Sequence, residues 1–143
     1  MFKDKKNLIF LIGIFIVATI ISLARDGGTT TSIFELGDNT ITLKGPNKYS
    51  YTMTFEDIDD IALKKDLQLG ECIDGGSTRK CSYGVWKNDE FGKYNLCVVK
   101  ELTSYIIFTE KDGDVTVFNI ETNTATEEFY KSFPDFLEKK LAQ

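Results

Sequence analysis

Residues 105–141 read YIIFTEKDGDVTVFNIETNTATEEFYKSFPDFLEKKL, and two hydrophobic periods meet inside them. As far as Ile120 the apolar residues form two short strand-like runs separated by Lys111-Asp112-Gly113-Asp114. An Asp-Gly pair between two such runs predicts a hairpin. Beyond it, Phe129, Tyr130, Phe133, Phe136, Leu137 and Leu141 recur at helical spacing behind Thr124-x-x-Glu127, a capping-box pattern. An amphipathic C-terminal helix follows, with its apolar stripe plugging the domain's own core. Pro134 lacks the amide that would bond the Tyr130 carbonyl, so a kink is expected near Ser132 to Pro134.

Toward the N-terminus the period is two. Ile33, then Ile41 and Leu43, then Tyr49, Tyr51, Met53 and Phe55 mark three half-buried strands. Gly37-Asp38-Asn39 and Gly45-Pro46-Asn47 supply the turns between them. Phe55 to Ile58 reads as a brief helical turn, and Ile61, Ala62 and Leu63 as a fourth strand ending near Asp66. Strands resume with Tyr94 to Lys100. The interval Gly70 to Gly92 holds five of the eleven glycines and little periodicity, which predicts a long irregular loop of the kind that often carries function. The expectation is a mainly β domain of about seven strands closed by one helix.

The composition narrows the chemistry. The chain has 143 residues, enough for one modest domain, with 42% hydrophobic and 13% aromatic residues, enough for a packed core. It has no histidine, which removes Ser-His-Asp and Cys-His catalysis, His-containing zinc sites and imidazole switching within one chain.

Residues 1–6 read MFKDKK and are expected to be a cytoplasmic tail. Residues 7–24 then run eighteen positions without a charge. As a helix that run spans about 27 Å, close to one bilayer core. Two outcomes are open: a transmembrane anchor, or a signal peptide cleaved after Ala24, where Ser22-Leu23-Ala24 has the small-x-small arrangement. The apolar run Ala18 to Ile21, helical almost to Ser22, favours the anchor. Lys3, Lys5 and Lys6 against Arg25 alone keep the N-terminus cytoplasmic and place the rest outside, at the cell membrane, as a single-pass protein. Residues 25–30 read as a linker and 31–143 as the domain. Residues 25–143 hold 14 basic and 21 acidic side chains, a net charge of −7, which disfavours nucleic acid as a partner.

The order of elements, seven strands and then a helix, resembles the pleckstrin-homology (PH) fold, and the residues resemble the bacterial PH domain family in its membrane-anchored form. The likeness rests on Phe55-Glu56-Asp57-Ile58, on Thr78-Arg79 and Gly84, and on Phe91-Gly92-Lys93-Tyr94. Further on it rests on Lys111 to Val115, Val117-Phe118-Asn119 and Glu128-Phe129-Tyr130, so that it covers about Thr31 to Leu141. The resemblance implies a bent antiparallel sheet or partly open barrel with the helix at one end, and no enzymatic activity. The chain departs from the phosphoinositide-binding members. Near the first hairpins it offers only Lys44 and Lys48, too little positive charge for phosphate contacts.

In an oxidising space Cys72 and Cys81 are candidates for a disulfide within the expected loop, while Cys97, inside Leu96 to Val99, reads as a small hydrophobe. Three cysteines without histidine do not complete an ordinary zinc site. Glu56, Asp57, Asp59 and Asp60 lack calcium-loop spacing. No catalytic, cofactor-binding or metal residue is singled out. Arg79, Tyr83, Trp86 and Phe91 form the candidate interaction loop, because aromatic side chains on a loop commonly anchor a partner. For Phe91 the resemblance implies a strand start instead. The reading is a non-catalytic, membrane-anchored binding or assembly module with a protein partner at the envelope. The alternatives are a secreted ligand-binding domain and an enzyme using carboxylate or thiol chemistry.

Overall fold

The computed structural model describes residues 33–142; the expected tail, membrane segment and linker lie outside the described residues. Among those described, no helix is long and apolar enough to cross a membrane.

Strands β1 (Ile33–Leu36), β2 (Thr40–Lys44) and β3 (Ser50–Thr54) form an antiparallel sheet, in register through Leu36↔Ile41 and Leu43↔Tyr51. Both predicted turns are present. Gly37 donates to the Thr40 carbonyl at 2.8 Å, and Gly45 to that of Tyr49 at 2.9 Å. Asn47 and Lys48 take the left-handed backbone conformation that reverses the second hairpin. The 3-10 turn Phe55–Asp57, held by a 2.6 Å bond from Thr54 Oγ1 to Asp57 Oδ2, then leads the chain out of this sheet.

The second sheet contains β4 (Ile58–Lys65), β5 (Glu71–Ser77), β6 (Cys81–Asn88), β7 (Gly92–Val99), β8 (Ser104–Glu110) and β9 (Val115–Phe118), in the spatial order β4-β8-β9-β7-β6-β5. There are thus nine strands among the described residues where about seven were expected. The difference is the interval 70–92, which forms β5 and β6. The sheet is not wholly antiparallel either, because β9 lies parallel to β7 through Leu96↔Val117. The two sheets stay separate and close no barrel.

Helix α1 (Asn123–Leu141) ends the described fold. Its N-cap is Thr122, whose hydroxyl accepts from the Ala125 amide at 3.0 Å, two residues before the expected capping box. Two tertiary contacts explain the shift. Glu127 is drawn to Lys65 of β4 at 2.5 Å, and Asn123 Oδ1 accepts from the Thr103 and Ser104 amides at 2.9 and 3.0 Å. The helix continues through Pro134 to Leu141.

The six-stranded sheet has a core on each face. On one side Phe34, Ile41, Leu43, Met53 and Phe55 meet Ile106, Phe108, Phe118, Phe129 and Phe133, so that the first sheet and α1 cover it together. On the other, Trp86, Tyr94, Leu96, Val98, Tyr105, Ile107 and Val117 are covered by Leu67, Leu69 and Phe91 from the connections.

Candidate functional site

The interval expected to be an irregular loop is a hairpin, paired from Glu71↔Lys87 to Ser77↔Ser82. Its turn is tied by Thr78, whose amide donates to the Cys81 carbonyl at 2.7 Å and whose hydroxyl accepts from the Cys81 amide at 3.1 Å. This pairing decides where each candidate residue goes. Tyr83 is buried, and its hydroxyl accepts from Asn47 Nδ2 at 2.5 Å. Trp86 is buried in the second core, its indole N–H donating to the Tyr83 carbonyl at 2.9 Å. Phe91 lies edge-on to Tyr94 at 5.4 Å. Of the four, Arg79 is exposed, Phe91 half-buried, and Tyr83 and Trp86 buried.

The structure does not bring Cys72 and Cys81 together. Cys72 is exposed opposite Trp86 and Cys81 buried opposite Val99. Trp86 and Cys81 are five residues apart on β6, roughly 16 Å of extended chain. A disulfide spans Cα atoms less than about 7 Å apart. The thiol beside Cys97 is Cys81: hydrogen bonding to Cys81, then burial, holds the Cys97 thiol well above its ordinary pKa.

What the hairpin does expose is a sheet edge. β5 is the last strand of its sheet, and every residue in it except Gly76 is exposed. A bulge between Cys72 and Asp74 leaves Ile73 outside the pairing, 46% exposed. Alongside lies a groove of about 670 Å³ whose lining carries Asp66, Glu71, Asp89 and Glu90 against Lys64 and Lys87. Lys64 is already ion-paired with Glu90, so the remaining charge is net acidic. Asn88 shapes the rim, donating to the Gln68 carbonyl at 2.9 Å and accepting from the Phe91 amide at 2.7 Å. None of these groove residues was singled out by sequence reasoning. They come from the ends of β4, β5 and β6, and only the pairing gathers them.

A second acidic group lies at the β8–β9 turn, where Glu110, Asp112 and Asp114 each bring a carboxylate oxygen within 4.8 Å of the others. Glu110 is buried and accepts from the Tyr51 hydroxyl at 2.9 Å. Burial, then Asp112, Asp114 and Asp57, raise its pKa above the usual 4.5 against the lowering effect of that bond. Folding therefore favours the protonated form. This contribution is intact below pH 4.5 and is lost as pH rises through the higher folded-state value. Glu110→Gln, which keeps an acceptor for Tyr51, is expected to flatten the fall in thermal midpoint between pH 4.5 and 7. A parent-minus-variant difference constant across that range refutes the assignment.

Comparison of the chain with protein-family models, with curated proteins and with solved structures finds no match.

Proposed function

We propose that the chain is a non-catalytic binding module whose β5 edge takes up an extended, basic segment of a protein partner. The observation that carries this reading is the exposed edge strand flanked by a net-acidic groove. An unpaired edge offers a row of backbone donors and acceptors that an added strand can complete. Glu71 and Asp74 on the strand and Asp66 and Asp89 beside it select for lysine or arginine on the incoming segment. The negative charge of residues 25–143 steers such a partner in and repels phosphate-rich surfaces.

The module is held at the cell membrane by residues 7–24, with the N-terminus cytoplasmic and the domain facing the envelope. The bacterial PH-like resemblance supports a binding role without catalysis. The arrangement Ser22-Leu23-Ala24 favours a released form as the second reading, which a mature N-terminus at Arg25 would establish.

The test uses the full chain in non-ionic detergent and two nine-residue peptides, one alternating lysine and threonine, the other glutamate and threonine. The lysine peptide is expected to slow hydrogen exchange of β5 amides and to bind at least tenfold more tightly than the glutamate peptide. Asp74→Lys is expected to remove most of that preference. Equal binding of both peptides, or saturation without protection of β5, overturns the reading.

A further inference from the structure

β6 pairs with β7 without a break in register, so its side chains alternate: Lys87, Val85 and Tyr83 share one face of the sheet, and Trp86, Gly84 and Ser82 the other. β5 takes its faces from β6. Gly76 pairs with Tyr83, Asp74 with Val85 and, on the far side of the bulge, Glu71 with Lys87. Glu71 and Asp74 are three residues apart, and in an uninterrupted strand they would point to opposite faces. The extra residue, Ile73, resets the phase, so both carboxylates stand on the face that carries Lys87 and Val85. Their partners are two residues apart on β6, which sets the pair about 7 Å apart along the strand.

The opposite face of β5 carries Cys72, Gly75 and Ser77, which supply neither a carboxylate nor a cation. The acidic face ends at Asp74, because the next residue on it is Gly76. Both acids are exposed, and they differ in their neighbours. Lys87 stands directly opposite Glu71 and offsets part of its charge, whereas Asp74 faces the uncharged Val85.

Given the binding role proposed above for the β5 edge, we infer that the bulge at Ile73 sets the spacing of the segment this edge takes up: two lysine or arginine residues separated by one uncharged residue. An added strand is regular, and its alternate side chains lie on one face about 7 Å apart, the same step as Glu71 to Asp74. A segment with its basic residues three apart presents them on opposite faces, so only one of them meets an acid. The other lies over the face of Cys72, Gly75 and Ser77. The basic residue opposite Asp74 contributes more than the one opposite Glu71, which already has Lys87 for a neighbour. Ile73 acts through its place in the chain and not through its side chain.

The test titrates the full chain in non-ionic detergent with three nine-residue threonine peptides. One carries two lysines separated by one threonine, the second two lysines separated by two threonines, and the third two glutamates separated by one threonine. The first is expected to bind at least threefold more tightly than the second, and Ile73→Thr, which keeps the extra residue, to retain that ratio. Glu71→Thr is expected to bring the ratio to one, while Asp74 keeps both lysine peptides ahead of the glutamate peptide. Deletion of Ile73 returns Glu71 and Asp74 to opposite faces and is expected to reverse the ratio; the parent chain and Glu71→Thr decide the matter if the deletion does not fold. Equal binding of the two lysine peptides, tighter binding of the second, or a ratio unchanged by Glu71→Thr overturns the inference, and the edge remains a basic-segment site as long as both lysine peptides exceed the glutamate peptide. Equal binding of lysine and glutamate peptides overturns the inference and the edge reading together.

Discussion

Gly84→Ala is expected to lower stability by about 3 kcal/mol or more, as the sum of backbone strain and a clash with main chain. Gly84 has φ +106°, and a Cβ there would sit 2.2 Å from the Asp74 carbonyl oxygen and 2.7 Å from the Gly75 Cα. Its cross-strand partner Gly75 is also in positive φ, at +136°, with its own Cβ position 2.4 Å from the Tyr83 carbonyl oxygen. The paired glycines thus let β5 and β6 approach where neither strand has normal extended geometry. Nothing flexible lines either position, so relief requires the strands to part. Gly113→Ala separates the two contributions, because its φ is +95° and nothing lies within 4 Å of the added carbon. That variant is expected to lose about 1 kcal/mol from strain alone. Denaturant midpoints and exchange at β5 amides provide the readout. Equal losses in the two variants would mean that close approach contributes nothing.

The same glycines explain why this part of the fold was illegible in the sequence. A strand is recognised by alternation between a buried and an exposed face, as in β2, where Ile41 and Leu43 are buried and Lys44 is exposed. β6 has a core on both sides, so Cys81, Ser82, Tyr83 and Gly84 are all buried in succession. β5 has neither core and is exposed at every residue but Gly76. One strand therefore shows little alternation because nearly all of it is inside, and the other because nearly all of it is outside.

The strands β1 to β4 and β7 to β9, the Asp112-Gly113 hairpin and α1 were legible because each carries its pattern locally. The capping box was a true pattern in the wrong place, displaced when Glu127 found Lys65 on β4. The parallel pairing of β7 with β9 depends on which edge β9 finds after the β8 hairpin, and no local residue encodes that. The exposed β5 edge was missed for a similar reason. Tyr83 and Trp86 drew notice as aromatic residues, yet they fill space inside the domain, Tyr83 beside Tyr49 and Trp86 in the core on the other face of the six-stranded sheet, while Ile73 and the charges of the groove carry no motif.

Phe129→Ala is expected to produce the largest loss of any single core substitution in α1, about 3–5 kcal/mol. The ring is 1% exposed and touches both sheets through aromatic neighbours. It meets Phe34 of β1 edge-on at 4.9 Å, Phe118 of β9 at 5.8 Å and Phe133, one turn on, stacked at 4.8 Å. Truncation removes these contacts and leaves a cavity among three rigid rings that cannot collapse into it, the condition under which large-to-small changes cost most. Phe136 supplies the comparison. It is only partly buried and packs on Phe55 at 5.9 Å, so Phe136→Ala is expected to cost about half as much. The loss should also be uneven in space. Among the described residues the first sheet packs on the one core it shares with α1 and the six-stranded sheet, whereas the six-stranded sheet keeps a second core on its far face. Exchange protection is therefore expected to fall first in β1 to β3 and to persist in β7 and β8. A uniform loss across both sheets would instead mean that the two cores unfold as one unit and that Phe129 is no more a joint between them than any other buried ring.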